Sequence, residues 1–340
     1  MLRFFLNRLL TMTGTLIVVS ALIFWIVNLP PGDYLSNTIA ELQASGEANN
    51  LETAEFLREQ YSLDEPLWMQ YLIWVGLAPG VDGFSGMLQG DFGWSFEFDR
   101  PVMEVLGDSV WLTIVVNFAS ILFIYIVSLP LGAIAAVYAG RAVDYGVAFV
   151  GYIGLATPNF LLALLLLYYG KEYLGLPIGG LMDPSFEGEP WSWAKVLSVL
   201  VHLIIPTIVI GTAGTAAMIR RLRANLLDEL RKPYVVTAQA KGVPPTQRII
   251  RYPLRAALNP FVADIGNLLP NLVSGSVLVS VVLSLPTLGP VLVDSLKSQD
   301  YFLSGAILMF VSMLTLVGML ISDLLLAVLD PRIRFGGRSA

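Results

Sequence analysis

The sequence predicts an all-α polytopic membrane protein with six transmembrane helices and both termini in the cytoplasm. Three observations carry this reading. Mean hydropathy is +0.71, and charged residues are 14% of the chain, against about 25% in an ordinary soluble protein. Uncharged runs recur at roughly the 20 residues needed to cross hydrocarbon. Basic residues gather in the segments that fall on one side of those runs.

Six runs qualify. Residues 9–29, 110–137, 146–169 and 302–322 carry no charge; 196–219 carries only His202, and 258–285 only Asp264. The last of these also holds Pro270 and is the most polar. Arg3 and Arg8 precede the first run, as they would in a secretory signal. That run is longer than the roughly 7–15 residues of a signal core, and LPPGD follows it in place of a small-residue cleavage site. It reads as an uncleaved first helix.

Orientation follows from the loops. The N-terminal stub, 138–145, 220–257 and the tail after 329 hold fifteen of the twenty Lys and Arg residues. Nine lie in 220–257: Arg220, Arg221, Arg223, Arg231, Lys232, Lys241, Arg248, Arg251 and Arg255. Positive charge stays inside, so these segments are placed in the cytoplasm. The chain divides into a stub and first helix (1–29), a large extracytoplasmic loop (30–108) and a permeating core (109–335).

The same composition excludes whole classes of chemistry. With no Cys there are no disulfides and no thiolate sites, and one His cannot form a histidine cluster. The net charge of −6 argues against nucleic acid as a partner. His202 reads as a boundary or packing residue. Asp323 and Asp330, seven apart on one helix face, read as helix-end and ion-pairing groups, with a role for Asp323 in translocation as the alternative.

In the large loop, Glu52, Glu55 and Glu59 share a helical face over 51–61. Pro66 opens a further segment at its first turn. The aromatic stretch from Leu67 to Val75 either lies along the membrane surface or packs among helices. Residues 80–93 are Gly-rich and irregular, and Trp191 and Trp193 resemble another interfacial belt.

The loop 220–257 has the most specific pattern. A helix reaches to about 231, Pro233 opens a short second helix over Tyr234–Lys241, and Gly242 closes it with positive φ. Val243-Pro244-Pro245 cannot continue it, and Pro253 disturbs the segment that follows. Small side chains on the short helix leave room for a groove of another protein.

At this point the sequence resembles a known family. PYVVTAQAKGVPPTQRIIRYPLRAALNP is similar to the EAA loop of binding-protein-dependent ABC importer permeases, in the form found in the dipeptide, oligopeptide and nickel branch. MLRFFLNRLL with the later PPGD, REQYSLDEPLWMQYLIWV, GDFGWSFEFDRPVMEVL and SDLLLAVLDPRIRFG resemble further motifs of the branch's first, B-type permease, in order. Thr237 stands where the family's eponymous Glu is found. The resemblance implies a type I importer permease fold in the bacterial inner membrane, as a multi-pass protein. It implies a second homologous permease, two cytoplasmic ATPase subunits and an extracytoplasmic solute-binding protein as partners. Tyr234, Thr237, Ala238, Ala240, Lys241 and Gly242 would then couple to the ATPases. The cargo would be a peptide, with oligosaccharide, opine and nickel open.

No GxxxxGK[ST] motif occurs, so no phosphate-binding loop is expected in this chain. ATP and Mg belong to the ATPase partners, and the chain is expected to carry no catalytic residues, metal or cofactor of its own. A secondary transporter driven by an ion gradient and a membrane anchor are the alternative classes. The former is disfavoured by the lack of a repeat between the two halves.

Asp264, Asn267, Asn271 and Ser274 are spaced i, i+3, i+7 and i+10. At about 100° per residue they share an arc of roughly 80°. An Asp facing lipid at a helix centre costs about 2.5–3.5 kcal/mol, so this face is directed at protein or water. It either lines a wetted path or bonds to a neighbouring helix.

Overall fold

The computed structural model describes residues 2–30, 34, 56, 58, 59, 62, 64–81, 83–177, 179–186 and 188–329, with backbone alone for 2–4, 262–274 and 326–329. The first helices are α1 (Leu2–Val27), α2 (Leu67–Val75), α3 (Val102–Val137), α4 (Ala142–Ala156), α5 (Asn159–Leu174) and α6 (Trp193–His202). There follow α7 (Ile204–Leu230), α8 (Pro233–Ala240), α9 (Pro245–Arg251), α10 (Pro253–Val282), α11 (Leu288–Lys297) and α12 (Tyr301–Leu329). Strands β1 (Trp94–Ser95) and β2 (Arg100–Pro101) form an antiparallel hairpin. The expected helix over 51–61, Asp330 and the tail lie almost wholly outside the described residues.

One compact unit comprises residues 2–111 and 287–314. Its core gathers Phe24, Trp74, Val102, Val105, Leu303 and Ile307. The aromatic stretch of α2 splits between its two expected roles. Tyr71 and Trp74 pack against Phe24 of α1, with ring centroids 5.5 and 5.6 Å away, while Trp68 is 62% exposed. Asp300 ties the hairpin to α12. One carboxylate oxygen accepts from Ser95 Oγ (2.7 Å) and Glu97 N (3.2 Å), and the other caps α12 by accepting from Leu303 N (3.2 Å). Complete burial pushes this carboxyl upward from its ordinary value, against the pull of those donors.

The other unit comprises residues 112–286 and 315–329 of the described chain. Ile124, Val209, Leu222, Leu226, Phe261 and Leu283 form the centre of its core. Helix α7 packs against α4, α5 and α10. Its buried side chains recur at helical spacing, from Ile205 and Val209 through Ala216 and Ile219 to Leu222 and Leu226. Gly211 permits close approach to α3: a Cβ there would stand 2.6 Å from Phe123 Cδ1.

Two expected spans are not single helices. The run 146–169 is broken at Thr157, and α4 and α5 diverge by 100°. Pro158 disfavours helical geometry at its predecessor, and Thr157 is extended (φ −83°, ψ 119°). The run 196–219 is bent by 40° between α6 and α7. Pro206 falls in the first turn of α7, where its missing N–H costs no internal bond. Among the described residues, helices α1, α3 and α12 are long and apolar enough to cross a membrane, and the number reaches five if each bent pair is one span. The expected run over 258–285 coincides with α10, whose 30 residues extend about 45 Å.

Asp300→Ala removes the cap of α12, strands the buried Ser95 hydroxyl and removes the bond from Glu97 N. Losing a cap costs about 0.5–2 kcal/mol, and an unpaired buried donor about 1–3 kcal/mol. The purified protein should therefore unfold at a clearly lower temperature in a detergent thermal-shift assay. An unchanged midpoint contradicts the role given to Asp300.

Candidate coupling segment and polar helix face

The candidate segment is built as an extension of α7. That helix ends at Leu230, and after a two-residue turn Pro233 occupies the first position of α8. Glu229 bridges the turn. Its carboxylate pairs with Lys232 Nζ at 2.6 Å and accepts from the Tyr234 hydroxyl. Partial burial, with the Glu229 carboxylate beside it, pushes the Tyr234 phenol up to about 12. The phenol therefore stays protonated, and able to donate, well above neutral pH.

The far end of α8 is closed by backbone bonds. Val243 N donates to Ala238 O (3.2 Å) and Gly242 N to Gln239 O (2.9 Å), which is the Schellman pairing. Gly242 has φ +76°, as the sequence leads one to expect of the residue that ends this helix. Pro245 then opens α9, Tyr252 breaks the helix, and Pro253 opens α10. The disturbance expected at Pro253 is thus a junction between two helices.

The six residues singled out in the sequence divide by face. Ala238 is buried, as is Val235, and both anchor α8. Tyr234, Thr237, Ala240, Lys241 and Gly242 are exposed, together with Val236 and Gln239. Thr237 turns its hydroxyl back to Pro233 O at 3.0 Å. The result is a short, firmly held helix with a mostly small and polar outer face.

Sequence reasoning missed the ion pair that ties α7 to α4 upstream of this segment. Arg223 of α7 grips Asp144 of α4 with two bonds, Nε to Oδ1 at 2.6 Å and Nη2 to Oδ2 at 2.7 Å. Gly140 N adds a third at 2.8 Å, and Asp144 is only 3% exposed. The available signal was Asp144 itself, the sole acidic residue in the short loop 138–145, whose one basic residue is Arg141. Tyr125 also reaches across from α3, its hydroxyl donating to Phe261 O of α10 at 2.9 Å.

Asp264, Asn267, Asn271 and Ser274 all fall on α10, which continues through Pro270 without interruption. Their side chains lie outside the described residues. His202 bonds through Nδ1 to Ser198 O at 2.8 Å, consistent with a packing residue. Asp323 is half-buried on α12.

Long apolar helices, two proline-associated bends and a capped helix set on the end of α7 define a helical membrane protein. Comparison with known proteins makes this particular. Residues 128–335 match the family described as "Binding-protein-dependent transport system inner membrane component", and residues 1–117 match "Binding-prot-dependent transport system membrane comp, N-term". The chain belongs to this family of inner-membrane transport components. It is similar to the oligopeptide transport system permease protein AppB of Bacillus subtilis (strain 168), with 32% identity covering 98% of this chain and 100% of the relative. Similarity to the glutathione transport system permease protein GsiC of Escherichia coli (strain K12) is 32%, with the same coverage. A putative peptide permease of Brucella suis biovar 1 is 31% identical over 98% of this chain and 99% of the relative. Among solved structures, the inward-facing MetNI methionine ABC transporter shares the fold, with TM-score 0.53 and 18% identity, over 67% of this chain and 97% of that chain. The chain is accordingly a permease subunit of a binding-protein-dependent ABC importer in the inner membrane, and ATP hydrolysis lies in separate subunits.

A Cβ added at Gly242 meets nothing within 4 Å, so substitution there is penalised by φ alone, by about 1 kcal/mol or more. Asn tolerates this conformation better than β-branched residues. In the assembled importer, Gly242→Val should reduce solute uptake strongly while Gly242→Asn retains most of it. Equal uptake by wild type and Gly242→Val contradicts the importance of this turn.

Proposed function

We propose that this chain forms, with a second homologous permease, the path by which a short peptide or peptide-like solute enters the cell. An extracytoplasmic solute-binding protein delivers the solute, and two cytoplasmic ATPase subunits drive the cycle. The exposed face of α8 receives one of them. The observation that carries this reading is the construction of α8: two buried residues, a backbone-closed C-terminus and an outer face of small and polar residues. In this reading six segments cross the membrane, with α10 and the two bent pairs among them, and both termini are cytoplasmic. The peptide as cargo is supported by the relatives, which are named for oligopeptides, peptides and glutathione; that support does not extend to oligosaccharide, opine or nickel.

The polar face of α10 belongs to the same reading. A continuous helix carrying Asp264, Asn267, Asn271 and Ser274 in one arc presents a wettable stripe, and we assign it to the lining of the path.

Three tests separate the parts of this proposal. Affinity purification of the tagged chain from its native operon should recover an ATPase pair and a second permease, and Ala240→Trp should deplete the ATPase while sparing the second permease. Unchanged ATPase recovery with Ala240→Trp contradicts docking on α8. The chain has no native Cys, so Ser185→Cys and Gln239→Cys, both at exposed positions, report topology directly. Ser185→Cys should react with an impermeant thiol reagent in intact cells, and Gln239→Cys only after permeabilisation; labelling of the latter in intact cells reverses the orientation. Finally, Asn271→Leu and Ser274→Leu should each change uptake or solute range with the complex still assembled. Dissociation of the complex without any change in solute range makes this face a helix contact.

A further inference from the structure

We propose that the unit formed by 2–111 and 287–314 contains a binding site for a small solute bearing an ammonium group. The site is a cavity of about 280 Å³, at the small end of the roughly 300–1,000 Å³ of ligand pockets. It suits a head group or one or two residues of a peptide. Trp74, Phe92, Trp94 and Phe302 supply aromatic surface, and Asp91 with Ser85 supplies the polar edge. Gly80, Gly83, Gly86 and Gly93 contribute backbone to the wall.

The chemistry of this lining selects a cation. Among the described lining residues there is a carboxylate and no Lys, Arg or His, so their formal charge favours a cation over an anion. The Asp91 carboxylate is held in place from both sides: Oδ1 accepts from Gly93 N at 2.9 Å, and Oδ2 accepts from Ser85 Oγ. Each oxygen retains a further lone pair for a ligand. Asp91 is exposed and so stands at the rim, where an ammonium reaches it without full desolvation. Aromatic faces attract the same charge through their quadrupoles. The free amino terminus of a short peptide and the ethanolamine head group of a lipid both carry the ammonium that this lining selects. This site is separate from the coupling segment and from the polar face of α10, so the proposal does not depend on either.

The test is calorimetric titration of the purified full-length chain in a detergent that carries no ammonium. The probes are trialanine, N-acetyl-trialanine and phosphoethanolamine. Trialanine should bind saturably. Acetylation removes the positive charge at unchanged backbone, and Asp91→Asn removes the negative one while keeping an acceptor for Gly93 N–H. Each change should weaken trialanine binding about tenfold or more. If phosphoethanolamine binds more tightly than trialanine, with the same dependence on Asp91, the ammonium site is upheld and its natural occupant is a lipid head group. The proposal is overturned if neither ammonium probe binds saturably, or if N-acetyl-trialanine binds wild type as well as trialanine does. The acetylated probe acts on wild-type protein, so the result stands even if Asp91→Asn folds poorly. No ATPase or partner permease enters the assay, and failure here leaves the transport reading untouched.

Discussion

In hydrocarbon every backbone N–H and C=O must find its partner within the protein, and this constraint shapes the chain at each scale. It explains why helices make up the apolar part of the molecule and why a hairpin of two-residue strands sits in the loop region before α3. It also fixes where helices can stop. The interruptions that matter fall at Thr157-Pro158, at Leu203, at the turn after Leu230 and at Gly242, and at each the local chemistry accounts for the change. At the first, proline disfavours the helical conformation of its predecessor, and Thr157 is extended. Pro206 lies in the first turn of the helix after the second, and Pro233 begins the helix after the third. At Gly242 the two backbone bonds of a Schellman turn satisfy carbonyls that the end of α8 would otherwise leave open.

Charge obeys the same constraint with different means. A carboxylate at 3% exposure is costly unless it is paired and hydrogen-bonded. Asp144 meets that condition with three bonds, two from the Arg223 guanidinium fork and one from Gly140 N. The planar guanidinium matches the two carboxylate oxygens in a way that Lys cannot. The pair therefore fixes orientation as well as distance between the start of α4 and the last third of α7. Asp300 solves the corresponding problem by a different route, using neutral donors from the hairpin and from the first turn of α12.

Much of the helical plan was legible in the sequence, because long uncharged runs have few alternatives to spanning. The family was legible too, through ordered motifs. What was not legible was the behaviour of individual prolines. Pro130 lies inside α3 and the helix continues past it, Pro158 separates two helices at 100°, and Pro270 lies within α10. Local sequence does not distinguish these cases, since the outcome depends on whether neighbouring helices can accept a bend and satisfy the freed carbonyl. In the coupling segment, the helix, its closing glycine and its small residues could all be read directly. The burial of Ala238 could not, because an eight-residue helix of nearly uniform small side chains has no strong apolar face to reveal its inner side. The Asp144–Arg223 pair, 79 residues apart in sequence, needed the tertiary structure.

An isolated helix of eight residues is not stable in water, since nucleation costs more than so few bonds return. Helix α8 persists because it is fastened at both ends and along one face. Pro233 presets its first turn, Glu229 holds Lys232 and Tyr234 against the end of α7, Val235 and Ala238 are buried, and Gly242 closes the C-terminus. If an ATPase subunit docks on the exposed face as proposed, a displacement applied there has a route to α7 through the Glu229 bridge, and from α7 to α4 through Arg223 and Asp144. A flexible loop bearing the same exposed residues would absorb the displacement in its own dihedrals. Rigidity of this small helix is thus the physical requirement of the proposed docking role, and its sequence provides local bonds and two buried side chains toward it.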